Sequence, residues 1–160
     1  MAEQEVSASL KSQNADIPTY VIFINNSTQD ARAWWLNYSG NPVSYGDIRR
    51  GTTLKMNTFL GHPWLFRSSE NGAKLLANMQ EVYLPVPTEY EDGHPIYMTV
   101  MITAPVYSLQ ECCSMLIRKL VRKEDYDKLH IPRSLINDLA KAPNLQKEIK
   151  NLNAAFRETN

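Results

Sequence analysis

What the chain lacks narrows its class first. Only two cysteines occur in 160 residues, and they are neighbours, Cys112 and Cys113, so no disulfide can staple distant segments. That usage points to a reducing compartment, cytoplasm or nucleus, and gives the Asn-x-Ser/Thr matches at Asn25 and Asn26 little weight as glycosylation sites. Neither charge sign is in excess: seventeen Lys and Arg balance seventeen Asp and Glu. The balance removes the electrostatic footprint of a nucleic-acid binder or of a protein that rests on an acidic membrane surface. No run approaches the roughly 18 apolar residues of a membrane span. Residues 1–15 are polar, without the apolar stretch expected of a secretory signal.

The usual marks of catalysis are missing as well. There is no phosphate-cradling glycine loop and no Gly-x-Ser-x-Gly. His62, His94 and His130 fall in three separate segments, none with zinc-ligand spacing. Adjacent cysteines on a helix diverge by about 100°, so both cannot face one metal, and a disulfide between neighbours is strained. Cys113 therefore reads first as a small packing residue, with Cys112 beside it. No metal, no cofactor and no chemistry of its own are expected of this chain.

What is present divides near Pro105. Before it, short β-type runs alternate with turn chemistry: "YVIFIN" (20–25), "ARAWWLNY" (31–38), "TTLKMNTFL" (52–60), "HPWLF" (62–66), "EVYLPVP" (81–87) and "IYMTVMI" (96–102). In the third run Leu54, Met56 and Thr58 share one face. After Pro105 the period turns helical. Leu109, Cys113, Leu116, Ile117 and Leu120 form one stripe, and Ser108 with Glu111 makes a capping box. A short helix is expected over 123–129, another over 132–142 with Pro132 in its first turn, and a last one from Asn144. The fold class is α+β. An antiparallel β-sandwich (14–104) precedes a small helical domain (105–155), between a flexible N-terminus (1–13) and a tail (156–160). About fifty helical residues make a poor independent core, so their stripes must be covered by each other, by the sandwich or by another chain.

One concentration of residues stands out: Trp34, Trp35, Tyr38 and Tyr45, then Asn57, Thr58, His62 and Trp64. Composition leaves two readings open. One is an aromatic core with His62 satisfied by a backbone carbonyl; the other is an aromatic-walled pocket with a few convergent polar groups.

The stretches "YVIFINNS", "WLNYSGNPVSYGDI", "LGHPWLFR", "GAKLLANMQEVYLP" and "PVYSLQECCSMLIRKLV" resemble the von Hippel–Lindau tumour suppressor family, and the resemblance runs from about Asn14 to Leu152. It implies a non-catalytic substrate receptor of an elongin B/C, cullin-2 and RING-protein ubiquitin ligase, binding prolyl-hydroxylated hypoxia-inducible factor alpha subunits. By the same resemblance, Trp35, Tyr45 and Trp64 would surround the hydroxyproline ring. Thr58 and His62 would meet its hydroxyl, with Asn14 and Asn57 along the peptide. Ser108, Leu109, Cys113, Leu116, Ile117 and Arg118 would form the elongin C face, Arg118 also tying the helix to its neighbours and to the sandwich. Ile131, Pro132 and Leu135 would meet the cullin. Several positions depart from the family pattern. Asp16 stands in place of an arginine beside the peptide, Gly46 and Ala33 in place of prolines, Thr58 in place of a serine, and Ala104 in place of a leucine. They favour a divergent paralogue, and they raise the alternative of a receptor that keeps elongin C but recruits another, unhydroxylated target. A plain interaction module that does not ubiquitylate is a further alternative.

Overall fold

A computed structural model describes residues 9–159. Nine strands come first: β1 (Pro18–Asn25), β2 (Ala31–Leu36), β3 (Pro42–Ile48), β4 (Thr53–Phe59), β5 (Trp64–Ser68), β6 (Lys74–Ala77), β7 (Tyr90–Glu91), β8 (His94–Pro95) and β9 (Met98–Thr103). Then come α1 (Leu109–Leu120), a 3₁₀ turn (Lys123–Lys128), α2 (Arg133–Ala140) and α3 (Leu145–Glu158). Seven strands pair in the order β3-β2-β5-β6-β9-β1-β4, and β7-β8 form a separate hairpin. β6 pairs with β5 on one side and β9 on the other, joining two layers that fold over one apolar core.

Alternation explains the core. On β1, Val21 and Phe23 point inward while Tyr20 and Ile22 are only half-buried. Phe23 meets Phe66, Trp64 and Tyr83 at ring-centroid distances of 4.9, 5.4 and 6.2 Å, within the range where edge-on and tilted aromatic pairs attract. β5 breaks the alternation because all five of its residues are buried. Its inward residues, Trp64 and Phe66, belong to the sandwich core. Leu65 on its other face packs with Leu10, Leu36 and Ile149 of α3.

That second cluster shows what the last helix packs against. Leu145, Ile149, Leu152 and Phe156 recur every three or four residues on α3 and join the Leu36–Leu65 cluster on the outer face of the sandwich. The last helix of the helical half thus docks on the β half, and it runs to Glu158, into the residues expected as a tail. The N-terminal strap is also part of the fold from residue 10. Leu10 is buried and its N–H donates to Asn153 Oδ1 at 2.6 Å, and Ser12 is buried too. Of the N-terminus expected to be flexible, residues 1–8 lie outside the described residues.

Other expectations shift for local reasons. The sheet is antiparallel except where β1 pairs in parallel with β9. Residues 81–87 form no strand; only Tyr83 bridges to Trp64. Pro85 and Pro87 have no N–H to give to a ladder. β3 and β6 arise where no run was read, the first polar and exposed, the second four residues long. Pro132 sits one position earlier than expected, at the N-cap of α2.

Candidate functional site

The aromatic cluster assembles at one end of the sandwich. Trp35 lies 6.0 Å from Tyr45 at 88°, and Tyr45 lies 5.0 Å from Trp64 at 71°. His62 stacks on Trp35 at 5.5 Å and is flanked edge-on by Tyr38. Phe59 closes against the same imidazole at 5.3 Å. Trp64, Thr58 and His62 are buried, whereas Tyr45 and Asn57 are exposed. The structure thus brings together five of the seven residues expected for the peptide site. Asn57 lies next to Thr58 on β4, and Asn14 joins through its backbone.

The polar groups are committed in a defined way. Trp64 Nε1 donates to Thr58 Oγ1 at 3.0 Å, which leaves the Thr58 hydroxyl hydrogen free to donate. His62 Nε2 lies 2.9 Å from the carbonyl oxygen of Asn14. A carbonyl only accepts, so Nε2 carries the hydrogen, and Nδ1 of the neutral ring is the remaining acceptor. One donor and one acceptor within an aromatic cluster complement an alcohol, whose single oxygen does both. The backbone carbonyl expected to satisfy His62 in an aromatic core is therefore present, and it orients the imidazole without using up the ring.

Two supporting residues were not visible as such in the sequence. Ser12 accepts from Trp35 Nε1 at 2.7 Å and donates to the carbonyl of Leu36, locking the indole from behind. No sequence signal marks it, since the contact spans 23 residues. Gly46 has φ +90, in the left-handed region. In the β2–β3 ladder Arg32 pairs with Asp47 and Trp34 with Ser44, so Tyr45 and Gly46 together oppose Ala33. This is a bulge, the device by which a strand re-aims a side chain, and Tyr45 is the residue it turns toward Trp35 and Trp64. The signal was there: a lone glycine inside a strand.

The helical site is built differently. Ser108 Oγ accepts from Glu111 N at 3.1 Å, and the Glu111 carboxylate accepts from Ser108 N at 2.6 Å. The capping box thus starts α1 as expected. None of the twelve residues of α1 is buried. Leu109, Cys113, Leu116 and Leu120, at i, i+4, i+7 and i+11, lie on one open face, with Leu109 81% and Leu120 72% exposed. Ile117 instead turns inward against Tyr126, Ile136 and Leu139. Ile131 packs on the same small cluster, Leu135 is half-buried and Pro132 exposed.

Arg118 reaches the end of α2, donating to the carbonyls of Leu139, Asp138 and Lys141 at 3.1, 2.9 and 3.2 Å. These carbonyls cluster at the end of α2, where a helix leaves some of them without intrahelical partners. It therefore ties α1 to α2, but the expected link to the sandwich is carried by other residues. Tyr107 donates to the Lys74 carbonyl at 2.6 Å, and burial pushes its phenol pKa up. Lys119 pairs with Glu70 at 3.4 Å, both largely exposed. A cleft of about 870 Å³ bordered by Lys74, Tyr107, Met115 and Arg118 separates α1 from the sandwich.

A family model described as the VHL beta domain matches residues 10–92, and one described as the VHL box domain matches residues 107–155. Among characterised proteins, Protein Vhl of Drosophila melanogaster is 25% identical over 136 residues, 77% of this chain and 76% of that protein.

Proposed function

The chain belongs to the VHL family, and on that premise we propose that it is the substrate-recognition subunit of an elongin B/C–cullin-2–RING ubiquitin ligase. It reads prolyl hydroxylation on hypoxia-inducible factor alpha subunits. VHL family proteins are substrate adaptors rather than catalysts, and the contribution to chemistry is proximity: a target held beside a ubiquitin-charged enzyme. The reading carries with it a cytoplasmic and nuclear location, in keeping with the two unpaired cysteines.

The observation that carries the reading is the open face of α1. A capped helix that exposes Leu109, Leu116 and Leu120 while Ile117 anchors its back is an interface waiting for a groove. Leu109 is the anchor side chain for elongin C, and Cys113, one turn on, is small enough for close approach.

The client site follows from the pocket. β4 is the last strand of its sheet, so its outer N–H and C=O groups have no ladder partner among the described residues. An extended peptide adds there as a further strand beside Asn57. It delivers its hydroxyproline ring to Trp35, Tyr45 and Trp64, and its hydroxyl to Thr58 and His62 Nδ1. An unmodified proline strands both polar groups, at about 1–3 kcal/mol for each unsatisfied partner. That asymmetry turns hydroxylation into a switch.

The test has two arms. Co-purification with elongins B and C is expected for the wild-type chain and is lost in Leu109→Asp. With that complex in hand, matched peptides bearing hydroxyproline or proline are compared by calorimetry, and a preference of at least about tenfold, 1.4 kcal/mol, is expected. Equal affinity with elongin assembly intact would retire the hydroxyl-reading half and leave an elongin adaptor with a different client.

A further inference from the structure

One acidic side chain, Asp16, stands unpartnered among the described residues in the strap that borders the pocket. The strap at residues 13–17 runs alongside the turn at 59–62. Gln13 N donates to the Gly61 carbonyl at 3.3 Å, His62 Nε2 meets the Asn14 carbonyl, and Leu60 N donates to the Ile17 carbonyl at 3.0 Å. Asp16 sits inside this strap, two residues from the Asn14 carbonyl that orients His62, and so within roughly 7 Å of it along the chain. Its side chain is exposed and makes no hydrogen bond or ion pair among the described residues. Charged residues on β2, β3 and β4 have contacts of their own. Arg32 and Asp47 neutralise each other at 2.6 Å across β2 and β3, and Lys55 of β4 lies over the Tyr97 ring at 5.0 Å. Beside Asp16, Ile17 is 55% exposed.

We propose that Asp16 and Ile17 form a selectivity element for a basic side chain in the client peptide, next to the residue that enters the aromatic pocket. The inference rests on the peptide-binding reading above and specifies its client. A lysine or arginine lays its aliphatic stem on Ile17 and sets its charged head at the Asp16 carboxylate, the division of labour those long side chains favour. A client with an acidic residue at the same place meets an uncompensated like charge, so strongly acidic flanks are selected against. Because the pair is exposed, its effect is modest, and it is screened by salt.

The experiment uses the full chain with a set of hydroxyproline peptides in which Lys, Gln or Glu occupies each position within three residues of the hydroxyproline. At one or more positions the expected order is Lys, then Gln, then Glu, each step about two- to fivefold, the range of an exposed ion pair. The ranking shrinks in Asp16→Asn, reverses in Asp16→Lys, and contracts when salt is raised to about 1 M, where the screening length falls to about 3 Å. Tight binding with a ranking that Asp16→Asn leaves intact would overturn this inference alone. Failure of every hydroxyproline peptide, whatever its flanks, would overturn it together with the client reading.

Discussion

In the sandwich, Phe23 is fully buried among three other aromatic rings; on α1, Leu109 and Leu120 stand almost free in solvent. Both regions carry clear apolar periodicity, with opposite outcomes. The sheet layers close on each other, and α3 covers the second face of β5, so the apolar surface there finds partners within the chain. The α1–α2 unit has only Tyr126, Ile136 and Leu139 buried in its own cluster. It is joined to the sandwich by a tyrosine hydrogen bond and an exposed ion pair across an open cleft. The difference teaches that apolar stripes in this fold have two outcomes: one face builds the scaffold, and another stays open, the face to which the proposed function assigns elongin C.

The sharpest way to test the contrast is to remove mass from each region. Phe23→Ala is expected to cost about 3–5 kcal/mol of folding stability, the usual range for a buried aromatic, read as a drop in the denaturation midpoint. Glu148→Ala strips the carboxylate that accepts from Arg67 Nε at 3.0 Å, leaving a guanidinium that is 3% exposed without its anionic partner. The expected loss is about 2–3 kcal/mol, below the full range for a buried pair because Glu148 itself keeps contact with water. Calorimetry should show it as detachment of α3 from the sandwich. Leu109→Ala inverts the pattern: folding stability should stay within about 0.5 kcal/mol. Elongin C affinity should fall by about 2 kcal/mol, roughly thirtyfold. If the folding midpoint falls instead, α1 is a core helix and the contrast fails.

Two smaller effects sharpen each side. Gly46→Ala forces a side chain into the left-handed region where a Cβ would touch nothing within 4 Å, so the cost is backbone strain alone, about 1–2 kcal/mol. It should appear as weaker peptide binding through a displaced Tyr45, measurable by titration. Ser108→Ala removes the cap of α1 at about 1 kcal/mol. Its signature is fraying of that helix in amide exchange, with the sandwich unaffected.

How much was legible follows from how local each cause is. The capping box at Ser108 and Glu111, the start of the last helix near Asn144 and the strand over 20–25 depend on residues a few positions apart, and all three appear in the structure. The aromatic and histidine cluster was visible as a concentration, but composition left it poised between core and pocket. The structure shows both at once: Trp64 belongs to the core and Tyr45 is exposed, while Thr58 and His62 are buried beside them with one hydrogen-bonding group each left uncommitted. Residues 81–87 misled because β-rich composition outweighed Pro85 and Pro87, and β3 escaped because an exposed edge strand needs no apolar alternation.

By itself the sequence determined most of the strands, the helices and the capping box that begins α1, and the change of period near Pro105, because these rest on contacts within one or two turns of chain. Only the tertiary structure decided that α3 docks on the sheet, that Arg67 finds Glu148 across 81 residues, that Ser12 braces Trp35, and that α1 keeps its apolar face open. An amphipathic stripe states that a face wants covering. Which surface covers it depends on where chain closure brings the candidates, and that is settled by packing across the whole fold.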